Sequence, residues 1–153
     1  CVFYRKQPTY APQMASGAPY DKGVRKSQLT GSYGDFDPVL VKNSSGERYP
    51  TDVVYFKTAE SEGKVWHPTQ KPVALGRYLV KTYTAPGDVV LDNASGSGSF
   101  PLAAALEGRH FVGMELNDNS VQFKTQHIDY VAVSRARIAE ALANMEKESR
   151  YHV

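Results

Sequence analysis

The sequence predicts an α/β fold whose second half is built on parallel strands and whose first half is a long irregular region. Three observations carry this expectation. A short apolar run stops at an acid and turns into a loop of small residues in "GDVVLDNASGSGSF", residues 87–100. A second apolar run, "RHFVGMEL" at 109–116, also reaches an acid at its end, Glu115. Between them lies the helix-forming stretch "PLAAALE". Strand, glycine loop, helix and strand make a βαβ unit, with a right-handed crossover and the loop at the carboxyl ends of the strands.

The elements can be justified in chain order. The opening "CVFY" reads as the middle of a strand, and the chain looks cut from something longer. From Pro8 to about Tyr49 there is no sustained period of 3.6 or 2, and Gly, Pro, Ser, Asn and Asp recur. An irregular stretch of that length is a binding element or is mobile without a partner. "DVVYF" at 52–56 reads as a short strand. Pro72 suits a first helical turn, and Leu75, Leu79 and Tyr83 recur at helical spacing, so a helix is expected over 71–83. "APGD" is a turn, and "DVVLD" is a continuous apolar strand of the kind buried on both faces of a parallel sheet. Pro101 starts the next helix and Gly108 closes it as a left-handed cap. A last helix is expected over 128–148, with Ile128, Val131, Ile138, Leu142 and Met145 on one stripe. The division expected is 1–65, irregular with short strands, and 66–153, a ligand-binding α/β half.

Composition bounds the function. A chain of 153 residues at 41% hydrophobic can bury a real core. No apolar run is long enough for a membrane span, so no membrane partner is expected. The single Cys cannot form an internal disulfide, which agrees with a reducing, cytoplasmic setting, and makes the N-x-[ST] matches at Asn43 and Asn93 chance ones. The net charge of +2 hides an asymmetry: residues 1–87 hold 12 Lys/Arg against 7 Asp/Glu, and residues 88–153 hold 6 against 9. The basic half also carries eight of the ten tyrosines. Cations interleaved with aromatics suit a surface that neutralises phosphates and stacks on bases; a solvated loop region of ordinary content is the bland alternative.

The glycine loop points to a ligand. Gly96 and Gly98 let the backbone turn sharply and a ligand approach, and the amides at the start of the following helix favour a negative group. Glu115 stands at the tip of the adjacent strand, where a carboxylate can accept both hydroxyls of a ribose. An adenosine-containing cofactor follows. No Lys follows the glycines, which argues against a nucleoside triphosphate loop; Pro101 replaces the third glycine of a dinucleotide fingerprint, which weakens NAD or FAD but leaves them open. S-adenosylmethionine needs only a tight turn, an anchor for its amino-acid end and an acid for its ribose, and fits best. A purely structural glycine turn is the alternative.

"HPTQKP" at 67–72, "GDVVLDNASGSGS" at 87–99 and "GRHFVGMEL" at 108–116, in that order, resemble the C-terminal half of DNA amino-methyltransferases acting on the exocyclic amine of adenine or cytosine. The resemblance is to the subclass whose cofactor motifs follow the catalytic one. "CVFYRKQPTYAPQM" and "RYPTDVVYFKT" are similar to segments lying between those motifs. It implies a partial Rossmann-like methyltransferase sheet, preceded by an irregular DNA-facing region, and S-adenosylmethionine as donor. Asp92, Gly96, Gly98 and Ser99 would hold the methionine end, Glu115 the ribose, and Leu116 would pack on the adenine. Thr69, Gln70 and Lys71 would close over the methionine group from the other side, and no metal is implied. Double-stranded DNA is the implied partner, with Arg5, Lys6, Lys22, Arg25 and Lys26 as candidate phosphate contacts.

The chain departs from the family pattern in three places. Asn93 and Ala94 stand where many members have Pro-Phe, which removes an aromatic wall, and "NDNSVQFKTQ" makes a long connection after Glu115. No [DNS]-P-P-[YFW] tetrapeptide, the family's catalytic loop, is present. In this motif order it belongs upstream of Cys1, so the chain is expected to be a fragment that does not transfer methyl groups by itself. An open sheet edge and an uncovered apolar face lead to an expected association with the absent N-terminal half or with a second copy. The rival readings are a non-catalytic cofactor- or DNA-binding remnant and, less well supported, a nicotinamide-dependent oxidoreductase.

Overall fold

The computed structural model describes residues 5–26, 29–30, 34–35, 37–117, 122–124 and 126–151. The expected strand over "CVFY" lies outside the described residues. The chain forms two compact units, Pro12–Val54 and a larger one made of Cys1–Ala11 with Tyr55–Val153.

In the unit Pro12–Val54, three antiparallel pairings nest inside one another. β1 (Ala15–Ser16) pairs with β6 (Glu47–Arg48), β2 (Tyr20–Arg25) with β5 (Val39–Asn43), and β3 (Leu29–Thr30) with β4 (Gly34–Asp35). The stretch read as irregular therefore folds as one long, interrupted ribbon. Its alternation is illegible for a physical reason. The register shifts between Asp21 and Val24, where Gly23 takes a left-handed φ of 67°, and neither face is buried, so no period of two was selected. Val24, Val39 and Leu40 are all half or more exposed. The turn before β6 is held by Asn43, whose Oδ1 accepts the Gly46 amide at 2.7 Å. A Cβ at Gly46 would fall 2.0 Å from the Gly17 carbonyl oxygen, so only glycine fits there.

The segment 52–56 is not a strand. Val53 and Tyr55 are 78% and 84% exposed, and among the described residues no strand pairs with them. β-propensity without a pairing partner does not make a strand.

The larger unit is organised around one short helix. It contains a 3₁₀ turn (Ala59–Glu62), α1 (Val73–Tyr83), β7 (Val89–Asp92), α2 (Ser99–Leu106), β8 (His110–Gly113), a short hairpin of β9 (Gln122–Phe123) and β10 (Gln126–His127), and α3 (Tyr130–Tyr151). β7 and β8 are parallel, with Val89 opposite His110 and Asp92 opposite Gly113, so 88–113 is the expected βαβ unit. α2 contacts α1, α3 and both strands. Pro101, Leu102, Ala103 and Ala104 are consequently buried, and an apolar all-round helix is what such a position requires.

Small residues set the crossing of α1 on α2. A Cβ on Gly76 would meet the Ala103 Cβ at 2.8 Å, so the two helices touch at their backbones. For this reason Gly76 and Val80 are the buried line of α1, while Leu75, Leu79 and Tyr83 flank it half-buried. Gly108 ends α2 with a φ of 71°, the Arg109 amide returning to the Ala104 carbonyl at 2.9 Å and the Gly108 amide to Ala105 at 3.1 Å, a Schellman closure. α3 begins at its cap, Asp129, whose Oδ1 accepts the Ala132 amide at 2.9 Å. Of the expected α3 stripe, Ile138 is buried but Leu142 and Met145 are exposed. Leu142 borders an open groove that also holds Pro101 and Phe111, which leaves it 38% exposed.

The strands meet α2 on one side only, contrary to burial on both faces, and even on that side Phe111 is 39% exposed. Gly113 sits under Pro101 of α2, at 3.3 Å from a built Cβ to Pro101 Cγ. Residues of the opposite parity, Val89, Leu91, Val112 and Met114, are 65%, 62%, 46% and 52% exposed. This open apolar face sets a measurable contrast. In denaturant unfolding, Leu102→Ala is expected to cost about 2–5 kcal/mol and Leu91→Ala less than about 1 kcal/mol. Comparable losses would show that Leu91 is covered in solution.

Candidate functional site

The glycine loop after β7 faces the segment just before α1 across a cleft of about 210 Å³. Thr69, Gln70 and Lys71 line one wall, and Asp92, Gly96 and Ser99 the other, joined by Ala94, Ser95, Ser97, His67 and Phe100. Six of the nine cofactor candidates therefore meet in one cavity. Gly98, Glu115 and Leu116 do not line it.

Each wall is built locally. On the far wall the Thr69 amide donates to His67 Nδ1 at 3.1 Å, and the Thr69 hydroxyl lies 3.1 Å from the same nitrogen. An accepting Nδ1 places the neutral ring's proton on Nε2. Gln70 Oε1 accepts the Trp66 amide at 3.0 Å and the Ser97 hydroxyl at 2.9 Å, tying the two walls together. α1, whose N-cap is the uncapping Pro72, is capped from upstream: Glu62 takes the Val73 and Ala74 amides at 2.6 and 2.9 Å. A carboxylate at a helix N-terminus answers both the orphan amides and the dipole.

The near wall uses its two glycines differently. Gly96, at φ 50°, faces the His67 ring, 3.4 Å from a built Cβ to Cδ2. Gly98, at φ 80°, is pressed against α3, and a Cβ there would fall 2.0 Å from Ser134 Oγ. The space that Gly98 gives up is filled by the protein. Asp92 Oδ1 accepts the Ala94 amide at 3.1 Å. Ser99 opens α2 and is 6% exposed, and its hydroxyl has no hydrogen-bond partner among the described residues. The first-turn amides at Ser99 and Phe100 have no intrahelical acceptor, and Pro101 has no amide to offer.

Glu115 continues β8 and lines a second, more apolar groove of about 450 Å³ with Phe111, Val131, Ile138 and Leu142. Its Oε2 accepts the Gly96 amide at 2.6 Å, so the acid braces the glycine loop and keeps further acceptor capacity. Leu116 is 83% exposed and lines no described cavity. The long connection after Glu115 is partly the β9–β10 hairpin, and Asn117 at its start accepts the Tyr130 amide at 2.8 Å.

The proposed phosphate contacts divide between the units. Arg5 and Lys6 belong to the larger one, and Lys22, Arg25 and Lys26 to Pro12–Val54; all five are exposed. The unit Pro12–Val54 holds five basic and five acidic residues, so the basic surplus of the first 87 residues lies outside it. Within it, Lys22 and Arg48 each lie 5.2 Å from the Tyr20 ring centroid, and Lys42 pairs with Asp21 at 3.7 Å. Among the described residues no cluster of His, Cys, Asp and Glu could hold a metal ion, and no helix is long and apolar enough to cross a membrane.

Comparison with known proteins gives this cleft its context. The model of a family described as DNA methylase matches residues 2–126. The chain belongs to that family. The DNA adenine methyltransferase YhdJ of Escherichia coli (strain K12) is 37% identical over 81 residues, which are 53% of this chain and 26% of that protein. The type II methyltransferase M2.MboI of Moraxella bovis is 27% identical over 134 residues, 85% of this chain and 44% of that protein. The crystal structure of the M1.HpyAVI–SAM complex is 28% identical, with a TM-score of 0.44, covering 63% of this chain and 47% of that one. The chain thus spans between a quarter and a half of the length of these methylases.

Several residues around this cleft escaped the sequence. Ser97 could have been found as the middle of "SGSGS". Glu62, Tyr130 and Arg137 could not, because each acts on the cleft from a distant position in the chain and only the fold brings them together. Tyr130 is 3% exposed, lies against His67 with ring centroids 4.6 Å apart and planes tilted by 58°, and buries a hydroxyl that has no partner among the described residues. Burial, reinforced by the nearby Glu115 charge, raises the Tyr130 pKa above 10. A phenol whose folded pKa is raised contributes stability below its unfolded pKa that is lost as pH rises through the folded value. Tyr130→Phe should therefore be within about 1 kcal/mol of the parent at pH 7, or more stable, and should lose less stability above pH ~10. Thermal melts between pH 7 and 11 measure this; an unchanged alkaline slope would remove Tyr130 as its source.

Proposed function

We propose that this chain forms the S-adenosylmethionine-holding part of a DNA methyltransferase acting on an exocyclic base amine, with adenine as the favoured target. The observation that carries the reading is the buried Ser99 hydroxyl, without a hydrogen-bond partner among the described residues, in the wall of a cleft that also contains Lys71 and the start of α2. A buried hydroxyl without a partner is costly unless a ligand completes it. An amino-acid carboxylate fits this donor set: Ser99 Oγ, the first-turn amides and the Lys71 ammonium are all donors. Asp92 offers a carboxylate to the amino group of the same ligand, and Thr69 and Gln70 close the opposite wall. Glu115, one of whose oxygens already accepts Gly96, would accept the ribose hydroxyls with its remaining lone pairs. Leu116 is left as the wall for the adenine.

Bound S-adenosylmethionine supplies a sulfonium methyl group for attack by the base amine. The residues of this chain bind and orient; the sequence has no [DNS]-P-P-[YFW] tetrapeptide, so in this proposal the loop that activates the amine comes from a segment outside these residues. Adenine is favoured over cytosine by the likeness to a DNA adenine methyltransferase. The proposed setting is the cytoplasm, and the proposed partner is double-stranded DNA, met by Arg5, Lys6, Lys22, Arg25 and Lys26. The absent N-terminal half, or a second copy, is proposed to cover the open face of Val89, Leu91, Val112 and Met114.

Two experiments test this. In calorimetric titration the chain should bind S-adenosylmethionine saturably and neither NAD nor ATP, and Ser99→Ala should weaken binding about 5- to 30-fold. Equal binding of all three, or full affinity in Ser99→Ala, would overturn the assignment. Glu115→Gln is the better companion to Ser99→Ala than Glu115→Ala, because the amide oxygen can still accept the Gly96 N–H. Separately, Arg25→Glu with Lys26→Glu should weaken DNA binding irrespective of sequence and reduce the salt slope by about 1 for each phosphate left without its cation; an unchanged slope would remove both from the interface.

A further inference from the structure

We infer that Arg137 is a positioning residue for the cleft: from α3 it fixes the glycine loop and, through Ser97 and Gln70, the facing wall. The inference rests on the reading of the cleft as an S-adenosylmethionine site.

The geometry is a one-way relay. Arg137 Nη1 donates to the Ser97 carbonyl at 2.6 Å and lies 3.2 Å from the Ser97 hydroxyl oxygen. A guanidinium only donates, so Ser97 Oγ accepts from it and turns its own proton to Gln70 Oε1, 2.9 Å away. The same Gln70 oxygen accepts the Trp66 amide at 3.0 Å, and an amide N–H can only donate. The orientation of the Gln70 side chain is therefore determined, with its oxygen used inside the protein and its NH₂ end left as donor. Three segments separated by up to 71 positions in the chain, 66–70, 97 and 137, meet in this relay.

The loop needs such a brace. Ser97 stands between Gly96 and Gly98, both at left-handed φ, and glycines leave the backbone free to occupy several wells. Ser97 is 3% exposed, so without Arg137 a buried carbonyl would lose its donor. Burial lowers the Arg137 pKa and the Glu62 charge opposes that shift; a guanidinium remains cationic under both. Arg137 touches the carbonyl and hydroxyl of Ser97, between the residues that carry Gly96 and Ser99, and does not itself line the cleft. Its effect on a ligand is preorganisation.

The test compares the parent chain with Arg137→Ala, Arg137→Lys and Ser97→Ala in two measurements: amide hydrogen exchange without ligand, and calorimetry with S-adenosylmethionine. Arg137→Ala should speed exchange across 95–99 about ten-fold while leaving the α2 core amides unchanged, and should weaken S-adenosylmethionine affinity about ten-fold. Arg137→Lys, which keeps one charged donor, should recover part of both effects. Unchanged loop exchange and affinity in Arg137→Ala, or identical behaviour of the Lys and Ala variants, would overturn the inference. If Arg137→Ala loses its helical circular dichroism, Arg137→Lys and Ser97→Ala decide. Each should speed loop exchange and weaken affinity about three-fold, and parent-like values in both would overturn it. A parent chain that does not bind S-adenosylmethionine would sink the reading of the site, while the ligand-free exchange data would still show whether Arg137 holds the loop.

Discussion

The larger unit depends on the burial of α2. Eight residues, "SFPLAAAL", are touched by α1, α3, β7 and β8, and Ala103 and Ala104 are fully removed from solvent. Methyl-sized side chains let the neighbouring elements approach to backbone distance, as the Gly76–Ala103 contact shows. That close approach carries the loop before α1 toward the loop before α2. The cleft is the space left between those two loops, so its width follows from the helix crossing. A larger residue at Gly76 or Ala103 would push its two walls apart before it exposed any apolar surface.

Much of this was legible in the sequence wherever local chemistry determined local structure. β7, α2 and β8 follow from an apolar run, a glycine loop, a proline and a closing glycine, because each constraint acts within a few residues. Of the cleft-lining residues, Asp92, Gly96 and Ser99 were legible because they flank those elements, whereas Thr69, Gln70 and Lys71 came only from the resemblance carried by "HPTQKP". What escaped was determined by partners distant in the chain. Gly98 reads as room for a ligand, yet Ser134 uses that room. The helix α1 reads as starting at a proline, yet Glu62, 11 residues upstream of Val73, is its cap. The ribbon of Pro12–Val54 read as irregular because a strand buried on neither face carries no pattern of polarity.

The surfaces that stay apolar and exposed fall where elements lack a neighbour. Val89, Leu91, Val112 and Met114 lie on the sheet face away from α2, and Leu142 and Met145 are exposed on α3, Leu142 at the rim of the groove that Glu115 lines. Among the described residues the parallel sheet has two strands, far below the usual size for such sheets, which are covered on both faces. The chain matches less than half the length of its curated relatives, and the proposed covering of this face by a further segment or a second copy follows from the same physics.

The nested pairing of the ribbon also has a kinetic consequence. Bringing Ala15 against Arg48 in an open chain closes a loop of about thirty residues, whereas pairing Thr30 with Gly34 closes one of only a few. Once β3 and β4 are paired, β2 and β5 add across a short remaining gap, and β1 and β6 across another. Zippering outward from the tip thus replaces one expensive closure by three small ones. Folding of this unit should therefore start at the β3–β4 pairing, with the β1–β6 pairing formed last and first to fray.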